Sequence, residues 1–109
     1  MKLETAAQQL SSLGSPVRLK LYRALVRAGE AGLACGTLQD KLGIAASTLS
    51  HHIKHLMDAG LIRQERQGTT LVCHAIYPAM QSLVGYLVDE CCQDAKCNAP
   101  KVSAEGRAA

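Results

Sequence analysis

The sequence predicts a mainly α fold carrying one two-stranded β-hairpin, and three observations predict it. Apolar residues recur at helical spacing in successive segments that open on capping residues or close on glycines. One pair of β-prone segments, Leu61 to Glu65 and Thr70 to Ile76, flanks the tight turn Gln67-Gly68-Thr69. The core material is aliphatic: there are three Tyr and no Phe or Trp, so Leu, Ile, Val, Ala and Met must fill the interior, as suits packed helices. With 109 residues, 48% of them apolar, the chain supports one domain and not two.

The elements follow in order. Ala6, Leu10 and Leu13 mark a short first helix from Thr5, closed by Gly14. Ser15-Pro16 then supplies an N-cap and a proline at the first helical position, where its missing amide costs nothing. The helix it opens carries Val17, Leu21, Tyr22 and Leu25 on one face and ends near Gly29, with Arg18, Lys20, Arg23 and Arg27 around its other faces. Thr37 caps a third helix that stops at Gly43, and Ser47 caps a fourth that runs to about Ala59. Two helices joined by three residues read as a helix-turn-helix. In the fourth, Leu49, Ile53, Leu56 and Met57 point to the core, leaving Thr48, Ser50, His51, Lys54 and His55 outside. The hairpin follows, and a last helix starts at Pro78, repeats Met80, Leu83, Val84, Leu87 and Val88, and continues to Cys91 and Cys92. Four helices, a hairpin and a helix describe a winged helix-turn-helix over residues 1–92, with 93–109 a polar, small-residue tail expected to be disordered.

A net charge of +3 is too small to mark a nucleic-acid binder, but eight basic residues between Arg18 and Arg66 face only four acids. The excess therefore lies on the helix-turn-helix and hairpin. Short hydrogen-bonding side chains near the start of an exposed helix suit the major groove, and Ser47, Thr48, Ser50 and His51 occupy that position, followed by Lys54. Arg63 and Arg66 on the hairpin are placed to grip phosphate or the minor groove. The N-terminus lacks the apolar run of a secretory signal, and the longest uncharged stretch, 67–88, is broken by Gly, Pro, His and Gln. The expected compartment is the cytosol, with no membrane partner. Five cysteines are an odd count at a density below that of a disulfide scaffold, so some thiols stay free.

Ser15-Pro16-Val17-Arg18-Leu19, then Ser47-Thr48-Leu49-Ser50-His51-His52-Ile53-Lys54-His55-Leu56, then Asp58-Ala59-Gly60-Leu61-Ile62 resemble the ArsR family of dimeric winged-helix repressors. The resemblance covers nearly the whole chain to Cys92. It implies a homodimer on a palindromic operator that leaves when an inducer binds, with Ser47, Thr48, Ser50 and His51 on bases or phosphates and His52 packed inward to orient the helix. Leu10, Met80, Leu83, Val84 and Leu87 are the expected dimer interface.

Family members differ in their inducer sites, so the cysteines choose the ligand. The family's arsenic site has a Cys-Val-Cys pair where this chain reads Ala34-Cys35-Gly36, and its cadmium and lead sites add an earlier cysteine, whereas none precedes Cys35. Its zinc sites on the last helix need His ligands, and no His follows His74. What remains is Cys91, Cys92 and Cys97. Three thiolates complete the pyramidal coordination of As(III) or Sb(III), while Zn²⁺ wants a fourth ligand. Tyr86-Leu87 before Cys91-Cys92 and Cys97 resembles an arsenic-responsive subgroup of the family. On a continuous helix Cys91 and Cys92 would project about 100° apart, so binding there requires the helix end to unwind or the tail to fold back. Cys35 and Cys73 have no thiol near them in sequence and read as bystanders. No organic cofactor is expected. A disulfide between Cys92 and Cys97, or a soft divalent metal, remains an alternative signal. An enzymatic reading lacks both a Cys-x-x-Cys pair and a base beside a cysteine.

Overall fold

The computed structural model describes residues 1–95. Helices α1 (Leu3–Leu13) and α2 (Pro16–Ala28) lead through a 3₁₀ turn, Gly29–Ala31, into β1 (Leu33–Ala34). Then come α3 (Cys35–Leu42), α4 (Ala46–Asp58), β2 (Ile62–Gln67), β3 (Thr70–Ala75) and α5 (Tyr77–Val88). The order is the expected one, with one addition. The wing is a three-stranded antiparallel sheet, order β1-β3-β2, with Leu33 opposite Cys73 and Gln64 opposite Cys73 on the other side. The two-residue strand β1 pairs the inner edge of β3, and it is too short to leave a periodic signal in sequence.

The core gathers Leu21, Tyr22 and Leu25 of α2, Leu38 of α3, Leu49, Ile53 and Leu56 of α4, Leu61, and Ile62, Cys73 and Ala75 of the sheet. The Ser15 hydroxyl accepts from Arg18 N–H at 3.4 Å, and Pro16 takes the first turn, as the sequence requires. Tyr77 docks the start of α5 by donating its hydroxyl toward the carbonyls of Leu25 and Val26, each at 3.2 Å.

Several local expectations are corrected. Neither Thr37 nor Ser47 is a cap: α3 begins at Cys35 directly after the pairing of β1, and α4 begins at Ala46 because the left-handed Gly43 turns the chain within three residues. Met57 is exposed, one helical step off the Leu49-Ile53-Leu56 line, and faces a groove toward the wing. Helix α1 buries Ala6, Gln9 and Ser12 instead of a stripe through Leu10, because its polar side chains bind α4. Helix α5 stops at Val88, short of Cys91 and Cys92. Its last turn has no basic residue, and Asp89 and Glu90 would place negative charge on the negative end of the helix dipole. Leu83 is covered within the subunit and Met80 packs against the core, so the exposed apolar face of α1 and α5 comprises Leu3, Leu10, Val84, Leu87 and Val88. The expected tail falls mostly outside the described residues.

Candidate nucleic-acid interface and thiol sites

Helix α4 turns Leu49, Ile53 and Leu56 inward and leaves Ser47, Thr48, Ser50, His51, Lys54 and His55 exposed on its outer face. Since Ser47 caps nothing, its hydroxyl is available alongside Thr48 and Ser50. Lys54 makes an exposed i,i+4 ion pair with Asp58 at 3.4 Å, a contact weak enough to exchange for phosphate.

The outer face is aimed from behind by α1 and α2, through contacts that sequence reasoning missed. Gln8 and Gln9 donate their side-chain amides to the carbonyls of Asp58 and Ala59, at 3.3 and 3.1 Å, and so satisfy the open C-terminal end of α4. Ser12 Oγ lies 3.3 Å from His55 Nδ1. Arg18 Nε donates to the Ser12 carbonyl at 2.6 Å, and its Nη1 stands 3.5 Å from His52 Nδ1. Arg18 has only protons to offer, so Nδ1 of His52 accepts and the ring carries its proton on Nε2. Burial, then the Arg18 charge, then His51 and His55 hold the His52 pKa below its usual value. His52 is thus a neutral strut between α2 and α4. The Gln-Gln pair in α1 was the available signal for the rest, but its partners lie 50 residues away.

Strand alternation separates the two wing arginines. Arg63 shares a face with Glu65 and pairs with it at 3.6 Å, while Glu65 also meets the buried His74 Nε2 at 3.0 Å. The other ring nitrogen of His74 is 3.0 Å from the Glu30 carbonyl. Arg66 lies on the opposite face, with Gln64, near the exposed tip at Gly68. A groove of about 330 Å³ between Ser50, Lys54 and Met57 of α4 and Gln64 and Leu71 of the wing runs along that face. The groove sets apolar Ile53, Met57 and Leu71 beside polar Ser50, Lys54 and Gln64, and it joins α4 to the wing face that bears Arg66, with Arg63 on the other face.

Cys91 and Cys92 lie beyond α5 in a turn where Glu90 and Cys92 both take left-handed backbone, each at φ +62°. The two sulfurs are 3.6 Å apart, with Cys91 a free thiol and Cys92 in a disulfide. The divergence expected on a continuous helix is therefore removed by the turn itself. Cys97 lies outside the described residues, and among those described no three His, Cys, Asp or Glu side chains gather as a metal group. Cys35 and Cys73, read as bystanders, meet at 3.7 Å.

A helix-turn-helix packed on its own antiparallel wing, with a polar outward face on the second helix, defines a winged helix-turn-helix transcriptional regulator. The comparisons agree. A model for a helix-turn-helix domain matches residues 13–65. The nodulation protein NolR of Rhizobium meliloti is 31% identical over 86 residues, covering 79% of this chain and 68% of NolR. The transcriptional repressor BigR of Xylella fastidiosa superposes with a TM-score of 0.61 at 29% identity, over 79% of this chain and 85% of BigR. An ArsR family transcriptional regulator shares the fold with a TM-score of 0.70 at 22% identity, over 83% and 90% of the two chains. The chain belongs with NolR to a family of helix-turn-helix transcriptional regulators, which bind DNA, and it shares its fold with an ArsR family regulator. No described helix is long and apolar enough to cross a membrane.

Proposed function

We propose that this regulator is a repressor that sits on operator DNA as a homodimer and leaves it when As(III) or Sb(III) is held by Cys91, Cys92 and Cys97. The observation that carries the reading is the 3.6 Å approach of the Cys91 and Cys92 sulfurs just beyond α5. With metal–sulfur bonds of about 2.3 Å, two thiolates on one ion stand at most roughly 4.6 Å apart. Cys92 is disulfide-bonded in the structure, so capture follows its reduction; the reduced pair, at this spacing, would share a soft ion, with Cys97 as the third thiolate that trivalent arsenic or antimony takes. Similarity to the repressor BigR supports repression as the mode of action.

Ser47, Thr48, Ser50 and His51 meet base edges and phosphates in the major groove, and Lys54 and Arg66 meet phosphate. Arg63 contributes from the side of the wing, in exchange for its pairing with Glu65. A second copy covers Leu3, Leu10, Val84, Leu87 and Val88, the exposed apolar residues of α1 and α5. The thiol turn follows directly on this face, so fixing the turn around an ion shifts the end of α5 where the subunits meet. Recognition helices set one DNA turn apart then lose register together. A coupling of about 1–3 kcal/mol would weaken operator binding roughly 5- to 150-fold.

The test is a DNA-release titration with As(III), Sb(III), Cd(II) and Zn(II) on thiol-reduced protein, unsubstituted and with Cys91, Cys92 and Cys97 changed to Ser in turn. Release by As(III) and Sb(III), lost in each variant, is expected. Unchanged As(III) release by Cys97→Ser overturns the three-thiolate site. Release by Cd(II) or Zn(II) alone, or by peroxide alone, assigns the signal to a soft divalent metal or to thiol oxidation.

A further inference from the structure

Cys35 and Cys73 are 38 residues apart in the chain and 3.7 Å apart at their sulfurs. Cys35 is the first residue of α3, and Cys73 sits in the central strand of the wing. Gln64, directly across from Cys73 on β2, points its side-chain amide at both sulfurs, 3.4 Å from Cys35 and 3.8 Å from Cys73. The two thiols differ in access. Cys73 is fully buried, whereas Cys35 lines a surface recess of about 710 Å³ with Gly36, Thr37, Asp40, Thr69 and Thr70. No lysine or arginine lines that recess. Burial pushes the Cys73 thiol up to about 12, with Cys35 beside it adding to the rise. A bis-thiolate metal site would require Cys73 to ionise in the core with no cation from the protein. A disulfide carries no charge and suits the same surroundings.

We propose that Cys35 and Cys73 form an oxidative modification site, a reversible intramolecular disulfide made by hydroperoxides. As thiolate, Cys35 attacks the peroxide at the recess. The O–O bond breaks, the leaving oxygen takes up a proton as water or an alcohol, and Cys35 becomes a sulfenic acid. The sulfur of Cys73 then attacks the Cys35 sulfur, the S–O bond breaks, and hydroxide departs with the Cys73 proton as water. Two thiols have lost two electrons and one hydroperoxide has gained them. Gln64 supports the first step by donating to Cys35 Sγ.

The sulfurs must close from 3.7 Å to the roughly 2.05 Å of the bond. The first turn of α3 is able to give, since no side chain caps it. The bond joins the first helix of the helix-turn-helix to the central wing strand. It uses none of the thiols of the metalloid site, so the two proposals stand or fall separately.

The test uses the full chain with Cys91, Cys92 and Cys97 changed to Ser, reduced and then treated with hydrogen peroxide. We expect both remaining thiols to be lost together, the chain to become two hydrogens lighter, and a protease digest to yield a linked Cys35–Cys73 peptide, all reversed by dithiothreitol. Adding Cys73→Ala should stop the reaction at a Cys35 sulfenic acid, trapped by dimedone. If the alanine variant does not fold, the peptide map of the unsubstituted chain provides the same readout. Thiols that stay titratable in excess peroxide, over-oxidation of Cys35 beside an intact Cys73, or a link only between chains would each overturn the proposal.

Discussion

Gly32 joins the 3₁₀ turn to β1, and its replacement by alanine should be far more damaging than that of its neighbour Gly29. Both residues have backbone that only glycine adopts easily, with φ +69° and ψ −168° at Gly32 and φ +77° and ψ −160° at Gly29. Forcing a side chain into that region costs about 1–3 kcal/mol. At Gly29 the cost ends there, because a Cβ would meet nothing within 4 Å. At Gly32 a Cβ would overlap the carbonyl oxygen of Cys73 and stand 2.7 Å from His74 Nδ1. Relief means moving the backbone of the central strand or breaking the bond from His74 to Glu30, and overpacking of this kind adds about 1–3 kcal/mol more. Each kcal/mol lowers Tm by about 4–8 °C in a domain of this size. Thermal melts followed by circular dichroism should therefore place Gly32→Ala at least several degrees below Gly29→Ala. Equal melting temperatures would refute the claim that close packing on Cys73 and His74, and not backbone conformation alone, anchors the wing.

Other outcomes follow from the same geometry. Arg66→Ala should weaken binding to all duplex sequences alike and reduce the slope of log K against log salt by about 1, as measured by fluorescence anisotropy; an unchanged slope would remove Arg66 from the phosphate contacts. His52 has its pKa lowered first by burial and then by Arg18, His51 and His55, so the unfolded chain binds the proton more readily than the folded one. Its contribution is complete above about pH 6.5 and is lost as pH falls through the lower folded value, so urea midpoints should drop on acidification and drop less steeply in His52→Asn. Leu87→Glu, on the most exposed apolar residue of α5, should shift sedimentation from dimer to monomer without lowering the monomer's helix content.

The outer face of α4 was legible because it depends on local spacing. Leu49, Ile53 and Leu56 fall at i, i+4 and i+7, and the polar residues between them are forced outward wherever that line is buried. The same rule failed at Met57 and Leu10, which sit at the margin of their stripes, where the neighbouring element decides what is covered. In α1 that neighbour is the end of α4, whose open carbonyls attract Gln8 and Gln9 more effectively than the core attracts Leu10. The end of α5 shows the limit from another side. Apolar periodicity continued the helix to the cysteines, but Asp89 and Glu90 stop it at Val88 and allow Cys91 and Cys92 to approach.

By itself the sequence determined the five helices, the three-residue turn between α3 and α4, the hydroxyl- and histidine-bearing face of α4, and the excess of basic residues between Arg18 and Arg66. All of these depend on residues within a few positions of one another, where helix geometry and capping leave little choice. Only the tertiary structure decided that β1 completes the wing, that burial and Arg18 hold the His52 pKa down behind α4, that Arg63 and Arg66 face apart, and that Cys35 meets Cys73. Those contacts join residues many positions apart, or depend on which face a strand turns to the core. Their partners are chosen when the helices and the sheet close around Leu21, Leu25, Leu38 and Leu56, a choice that local spacing does not encode.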